Sequence, residues 1–264
     1  MSDPFTKIAP YYDLLMCRVD YPGWIRYFIQ IFERFRIMPK KILDLACGTG
    51  TPTLLLARQG YEMIGMDISK EMLEVANEKA KSTLPSYNPT IRFIHGDIRD
   101  FDLEEKVDVV ISLFDSLNYL LDEKDLLLSY ASTYKTLREE GYFIFDMNTQ
   151  FGLSQYGSNG KEVREVDGLL SIWRNSFDRN RKIARLDLTL FVKEERRGRE
   201  IPPTYQRIDE VHEERGYAPE VIGKLLKEAG FEEIHLFKHL QFTPPIRTTN
   251  RVMVVARKGG AMAS

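Results

Sequence analysis

Between Lys40 and Asn148 the chain alternates short apolar runs with helical patterns, and no other feature constrains the fold as strongly. The runs are "KILDLA" (Lys41–Ala46), "YEMIGMD" (Tyr61–Asp67), "IRFIHGD" (Ile91–Asp97), "VDVVISL" (Val107–Leu113) and "YFIFDMN" (Tyr142–Asn148). Several are almost continuously apolar, as strands covered on both faces must be. Between them lie "TPTLLLARQG", "SKEMLEVANEKAKSTL" and "DEKDLLLSYASTYKTLREEG". Ser69 suits an N-cap with Glu71 in the first turn, and Gly60 and Gly141 stand where helices are expected to end. Such alternation predicts a doubly wound α/β sheet with helices on both faces.

The alternation stops after Asn148. In "KIARLDLTLFVKEE", Ala184, Leu186, Leu188, Leu190 and Val192 share one face and Arg185, Asp187, Thr189 and Phe191 the other, the period of a half-buried antiparallel strand. "SIWRNSF" precedes it across a "DRNR" turn, and "YQRIDEVHEERGY" follows a Gly- and Pro-bearing loop. Such an insert could simply stabilise a sheet edge. It could instead shape a substrate site, and we favour this because it leaves from the carboxyl end of a strand, where α/β folds bind ligands. A helix ("APEVIGKLLKEAGF") and two strands ("EEIHLFKHL", "RVMVVARK") complete the chain. The expected organisation is a helical cap over 1–38, an α/β domain over 39–149 and 216–258, a β-rich insert over 150–215 and a loose tail over 259–264.

Composition narrows the function classes. A net charge of -2 provides no field drawing the protein to nucleic acid or anionic membrane. Cys17 and Cys47 stand far apart, without metal-ligand spacing, so neither a disulfide framework nor a metal is expected. No apolar run approaches the roughly 20 residues of a membrane helix. The N-terminal "MSDPFTKIAPYYD" lacks the layout of a signal peptide. These features predict a cytoplasmic protein, and a monomer or homodimer is expected.

The turn in "ILDLACGTGTPT" lets a ligand approach backbone N–H groups at a helix start. A dinucleotide fingerprint would need a third small residue at position 53, which is Thr, and the acid closing the next strand, Asp67, marks a ribose without identifying the cofactor. Taken together, "LDLACGTG", "GMDIS", "GDIRDF" and "VVISLFDSLNYL" resemble, in order and spacing, the four motifs of the class I S-adenosylmethionine-dependent methyltransferases. The resemblance covers about Lys40–Asn148 plus the final helix and strands, and implies a Rossmann-like seven-stranded sheet whose last strand is antiparallel. It implies S-adenosylmethionine as methyl donor and S-adenosylhomocysteine as product. Ala46, Cys47, Gly48, Thr49 and Gly50 would lie against the methionine portion, with Asp44 meeting the ammonium. Asp67 would accept the ribose hydroxyls, and Ile68 and Met72 would flank the adenine. Asp97, with Gly96 and Ile98, would meet the adenine edge, and Leu113, Phe114 and Asp115 would complete the cofactor site.

"IAPYYDLLM" and "YPGWIRYF" are similar to the cap of a small-molecule subgroup that includes glycine and amino-sugar N-methyltransferases. That likeness implies that Tyr12 closes over the cofactor. Trp24 either joins it or packs the cap. Ser116, Tyr119, Trp173 and Arg174 are candidate substrate contacts. An amine acceptor needs no strong base, whereas a hydroxyl would want one. Tyr12, Asp115 and His212 are the catalytic candidates, although "HEER" on an edge strand also reads as a solvated charged run. The acceptor expected is a small molecule bearing nitrogen or oxygen. The alternatives are an RNA or protein methyltransferase, disfavoured because "FDSLNYL" has no proline pair, and a non-catalytic binder of S-adenosylmethionine.

Overall fold

The computed structural model describes residues 4–83, 91–156, 160–194 and 204–260. In chain order the helices are α1 (Tyr12–Leu15), α2 (Tyr21–Phe35), α3 (Thr51–Ala57), α4 (Lys70–Thr83), α5 (Glu123–Thr136), α6 (Gln150–Tyr156) and α7 (Pro219–Glu228). The strands are β1 (Lys41–Leu45), β2 (Glu62–Asp67), β3 (Ile91–His95), β4 (Val107–Ser112), β5 (Leu137–Asn148), β6 (Lys161–Val166), β7 (Leu169–Asp178), β8 (Ile183–Lys193), β9 (Tyr205–Arg215), β10 (Phe231–Lys238) and β11 (Arg251–Lys258). Seven strands form one sheet in the order β10-β11-β5-β4-β1-β2-β3, and β11 runs antiparallel to both neighbours. The remaining four form an antiparallel sheet in the order β6-β7-β8-β9. Both the doubly wound sheet and its antiparallel last strand are therefore as expected.

Burial explains the layers. On one face of the large sheet, Leu126 and Tyr130 of α5 and Ile222, Leu225 and Leu226 of α7 pack on Leu43, Val110, Phe143 and Val254. On the other, Trp24, Phe28, Ile31 and Phe32 of α2 recur at helical spacing and pack on Ile42, Met63, Val109 and Ile144. Within 1–38, the body of α2 is thus a layer of the sheet sandwich, and the chain up to α1, with Tyr21 at the start of α2, reaches over the ligand end. Leu188 and Leu190, on the predicted inner face of β8, meet Ile8, Ala9 and Met72, so the N-terminal segment lies between the small sheet and α4.

Two expectations need correction. The fifth helix stops at Thr136, because Leu137 turns extended (ψ 140°) and pairs with Val107. Gly141 therefore lies inside β5, where a Cβ would come within 2.8 Å of the Arg138 carbonyl oxygen. Nor is "HEER" a solvated run throughout. Although β9 is an edge strand, Glu210 is 4% and His212 3% exposed, because the N-terminal segment covers them. Of the expected tail, residues 261–264 lie outside the described residues, as does the loop over 195–203. Among the described residues no helix is long and apolar enough to cross a membrane.

Candidate active site

The carboxyl ends of β1 and β4 open on a cleft of about 360 Å³, its mouth included, lined by Asp44, Ala46–Thr49, Thr51 and Pro52, by Leu113, Phe114 and Ser116, and by Tyr12 and Tyr21. Ala46, Gly48 and Gly50 all take left-handed backbone (φ 55°, 55° and 73°), which folds the turn tightly, with Cys47 N donating to the Met66 carbonyl and Gly50 N to the Cys47 carbonyl, both at 2.9 Å. Gly50 is required twice over, since a Cβ there would lie 2.9 Å from Phe93 Cζ. At Gly48 the nearest atom to such a Cβ is Tyr12 Cε1, 4.0 Å away across the cleft.

Two acids supply the charge. Asp44 is 1% exposed and accepts a hydrogen bond from Thr53 Oγ1 at 2.6 Å. Burial pushes its pKa up to about 7, against the hydrogen bond from Thr53. Thr53, read in sequence only as a departure from the dinucleotide pattern, thus holds Asp44 in place. Asp67 accepts from Gly48 N and Ser69 N, both at 2.8 Å, and burial raises its pKa against those bonds. Among the described residues no Lys or Arg lines the cleft. The two acids suit a ligand bearing an ammonium and vicinal hydroxyls. S-adenosylmethionine is such a ligand.

The roof is tied down by Asp13, next to Tyr12. Its carboxylate accepts from Thr49 Oγ1 at 2.6 Å and pairs with Lys79, whose Nζ also donates to Thr51 Oγ1 at 2.9 Å. Cys47 is buried beneath the turn and burial pushes its thiol up, so it packs rather than reacts.

The loop after β4 depends on residues that the sequence reading missed. Phe114 and Asp115 are both left-handed (φ 58° and 54°), and their N–H groups donate to Asp146 Oδ1 and Oδ2 at 2.8 and 3.0 Å. Arg251 Nε donates to Asp146 at 2.6 Å, and its other end pairs with Asp115. Asn148 Nδ2 bridges Asp115 Oδ2 at 2.6 Å and Glu214 Oε2 at 3.2 Å. Burial raises Asp146 to about 6 and Glu214 well above its usual range, with the Asp115 charge adding to both. Asp115, expected as a candidate base, is therefore engaged in a buried network that sets the loop. One signal was legible: an acid inside an apolar strand, as in "FIFDMN", must be paired.

The other predicted residues divide. Ile68 is 60% exposed beside Asp67, with His95 Nε2 3.0 Å from its carbonyl, while Met72 is buried in the packing beneath the N-terminal segment. Gly96 follows β3 against Met66, and Ile98 packs on the main core. Asp97 is held by Arg99, whose guanidinium lowers its pKa and whose backbone N–H donates to Oδ1 at 2.9 Å, so its carboxylate anchors a turn. Trp24 is 5% exposed, its ring 4.5 Å from Phe114 and 4.6 Å from His239, beneath the Arg251 guanidinium; it does not line the cleft. Tyr119 Oη lies 3.2 Å from His212 Nδ1. Trp173 packs against the N-terminal segment under Arg164, and Arg174 reaches Thr189 Oγ1 at 3.5 Å; neither lines the cleft.

Comparison with known proteins agrees with this geometry. A family model described as a methyltransferase domain matches residues 42–141. The crystal structure of an S-adenosylmethionine-dependent methyltransferase from Clostridium acetobutylicum ATCC 824 superposes with a TM-score of 0.81 at 30% identity, covering 96% of this chain and 98% of that one. A Bacillus subtilis (strain 168) protein whose name places it with the methyltransferases is 29% identical over 98% of this chain and 99% of its own length. Glycine/sarcosine N-methyltransferase of Aphanothece halophytica is 33% identical over 109 residues, 40% of each chain.

Proposed function

This chain belongs to the S-adenosylmethionine-dependent methyltransferases, and we propose that it methylates a nitrogen or oxygen of a small molecule. The observation carrying this reading is the enclosure of the cleft: Tyr12 and Tyr21 roof the glycine turn, Phe114 walls its far side, and Asp13 ties the roof to Thr49. A cavity bounded by aromatic rings on the acceptor side suits a compact substrate rather than a folded polymer. The partial likeness to a glycine/sarcosine N-methyltransferase favours an amine within that class.

The residues proposed to hold the donor are Asp44 at its ammonium, the turn from Ala46 to Gly50 along its methionine part, Asp67 at the ribose and Ile68 at the adenine. When bound, S-adenosylmethionine supplies a methyl group open to in-line displacement. The protein's task is then orientation and exclusion of water. Tyr12 and Phe114 exclude water, and Asp146 fixes the backbone that carries Phe114 and Ser116. Calorimetry with S-adenosylhomocysteine tests the donor half: Asp67→Ala should weaken binding strongly, and unchanged affinity would refute the assignment. Transfer of labelled methyl to a panel of amines, amino sugars and hydroxy acids tests the acceptor half. Labelling of RNA or protein alone would overturn it.

A further inference from the structure

His212 is buried, yet its Nε2 has no aligned hydrogen-bond partner. That nitrogen lies 3.4 Å from Glu210 Oε2, while Nδ1 lies 3.2 Å from Tyr119 Oη. Glu210 is also buried, and its two oxygens accept three backbone N–H groups of the N-terminal segment: Phe5 at 2.8 Å, Lys7 at 2.7 Å and Ile8 at 3.1 Å. Phe5 takes a left-handed φ of 66°, a strain its surroundings must sustain, and its ring lies 4.7 Å from His212, 5.2 Å from Tyr119 and 6.0 Å from Tyr12. Its carbonyl accepts from Ser69 Oγ at 3.1 Å, and the Ser69 N–H in turn holds Asp67. One carboxylate of the insert therefore faces the imidazole and fixes the segment beside the roof.

We infer that Tyr119 and His212 form a relay that removes the acceptor's proton, and that Glu210 is its positioning residue. This rests on the reading that the acceptor presents an N–H or O–H. In the transfer the acceptor's lone pair bonds the methyl carbon, the carbon–sulfur pair remains on sulfur, and the acceptor's proton must leave. Tyr119 oxygen takes that proton as its own passes to His212 Nδ1, and the imidazolium so formed faces the Glu210 carboxylate. The relay requires the tautomer with the proton on Nε2, which the Glu210 carboxylate favours over one with it on Nδ1. Burial opposes ionisation of Glu210, but His212 and the three N–H groups hold its carboxyl below the usual range. Burial, reinforced by Glu214, Asp115 and Tyr12, pushes the Tyr119 phenol well up, so the hydroxyl hands a proton on instead of dissociating.

The chain has four histidines, so nitrogen NMR of the histidine-labelled enzyme with S-adenosylhomocysteine bound is tractable, and His212→Asn identifies the signal. The expected result is a His212 proton on Nε2, an Nδ1 resonance that moves in Tyr119→Phe, and loss of the fixed tautomer in Glu210→Gln. A proton on Nδ1, or an Nδ1 resonance indifferent to Tyr119→Phe, overturns the relay. With an acceptor from the panel, Tyr119→Phe and His212→Asn should lower kcat by about 10²- to 10⁴-fold while S-adenosylhomocysteine affinity holds; an unchanged kcat also overturns it. If no panel member is methylated, the small-molecule reading fails, and the tautomer measurement still decides the relay.

Discussion

Asp44 shows how one residue ties the sequence pattern to chemistry. It stands in an apolar run, which requires a partner, and Thr53 Oγ1 provides it nine residues later. A carboxyl raised from 3.8 to about 7 binds more protons folded than unfolded, so its contribution to stability is lost as pH rises from about 4 through 7. Asp146, raised to about 6, adds to the same slope up to about pH 6. Thermal melts across this window should show falling stability, with the slope reduced in Asp44→Asn. A cationic ammonium placed beside Asp44 would favour its charged form. Donor binding near pH 6.5 should therefore release protons, read as a dependence of the calorimetric heat on buffer ionisation, and Asp44→Asn should lose that release. Thr53→Val keeps the shape and removes the donor, which should cost about 1–3 kcal/mol above pH 7 by urea unfolding. Arg251 escaped the sequence reading for a physical reason. A basic residue opening a strand resembles any exposed end, and its two carboxylate partners lie 105 and 136 residues away.

Among the elements, those with a strong period were read well, and those decided by tertiary contact were not. The central strands and the inner face of β8 carry their burial in the spacing of their apolar residues. The end of α5 does not: "TLREEG" has ample helix propensity, and pairing of Leu137 with Val107 overrides it. Burial of β9 was hidden too, because what covers this edge comes from residues 5–8, some 200 positions earlier. α2 makes the point energetically. Phe28 is fully buried against the sheet, so Phe28→Ala should cost about 3–5 kcal/mol, the loss of a core aromatic rather than of a cap contact. α1 behaves differently. Its tie runs through Asp13 to Thr49 and Lys79, with the Asp13 side chain 44% exposed. Asp13→Ala should therefore change stability by less than about 1 kcal/mol, yet speed dissociation of S-adenosylhomocysteine in stopped-flow measurements.

At the scale of the molecule, the site lies where three distant parts of the chain converge. The large sheet supplies the acids and the glycine turn, the N-terminal segment supplies the roof, and β9 holds that segment through Glu210. The acids and the glycine turn were legible because they sit on consecutive strands and turns, and the contacts of the N-terminal segment with β9 were not, because they exist only after the two sheets meet. The packing of Ile8 and Ala9 between Leu190 and Met72 couples the sheets, so a ligand on one should stabilise both. At a concentration 100-fold above its Kd, S-adenosylhomocysteine adds about 2.7 kcal/mol, which for a chain of this length raises Tm by about 5–10 °C. The melt should remain one transition that moves as a whole, Asp67→Ala should abolish the shift, and NADH at equal concentration should produce none. Two transitions, with only one responding to ligand, would show that the small sheet unfolds on its own and that the N-terminal segment does not join them.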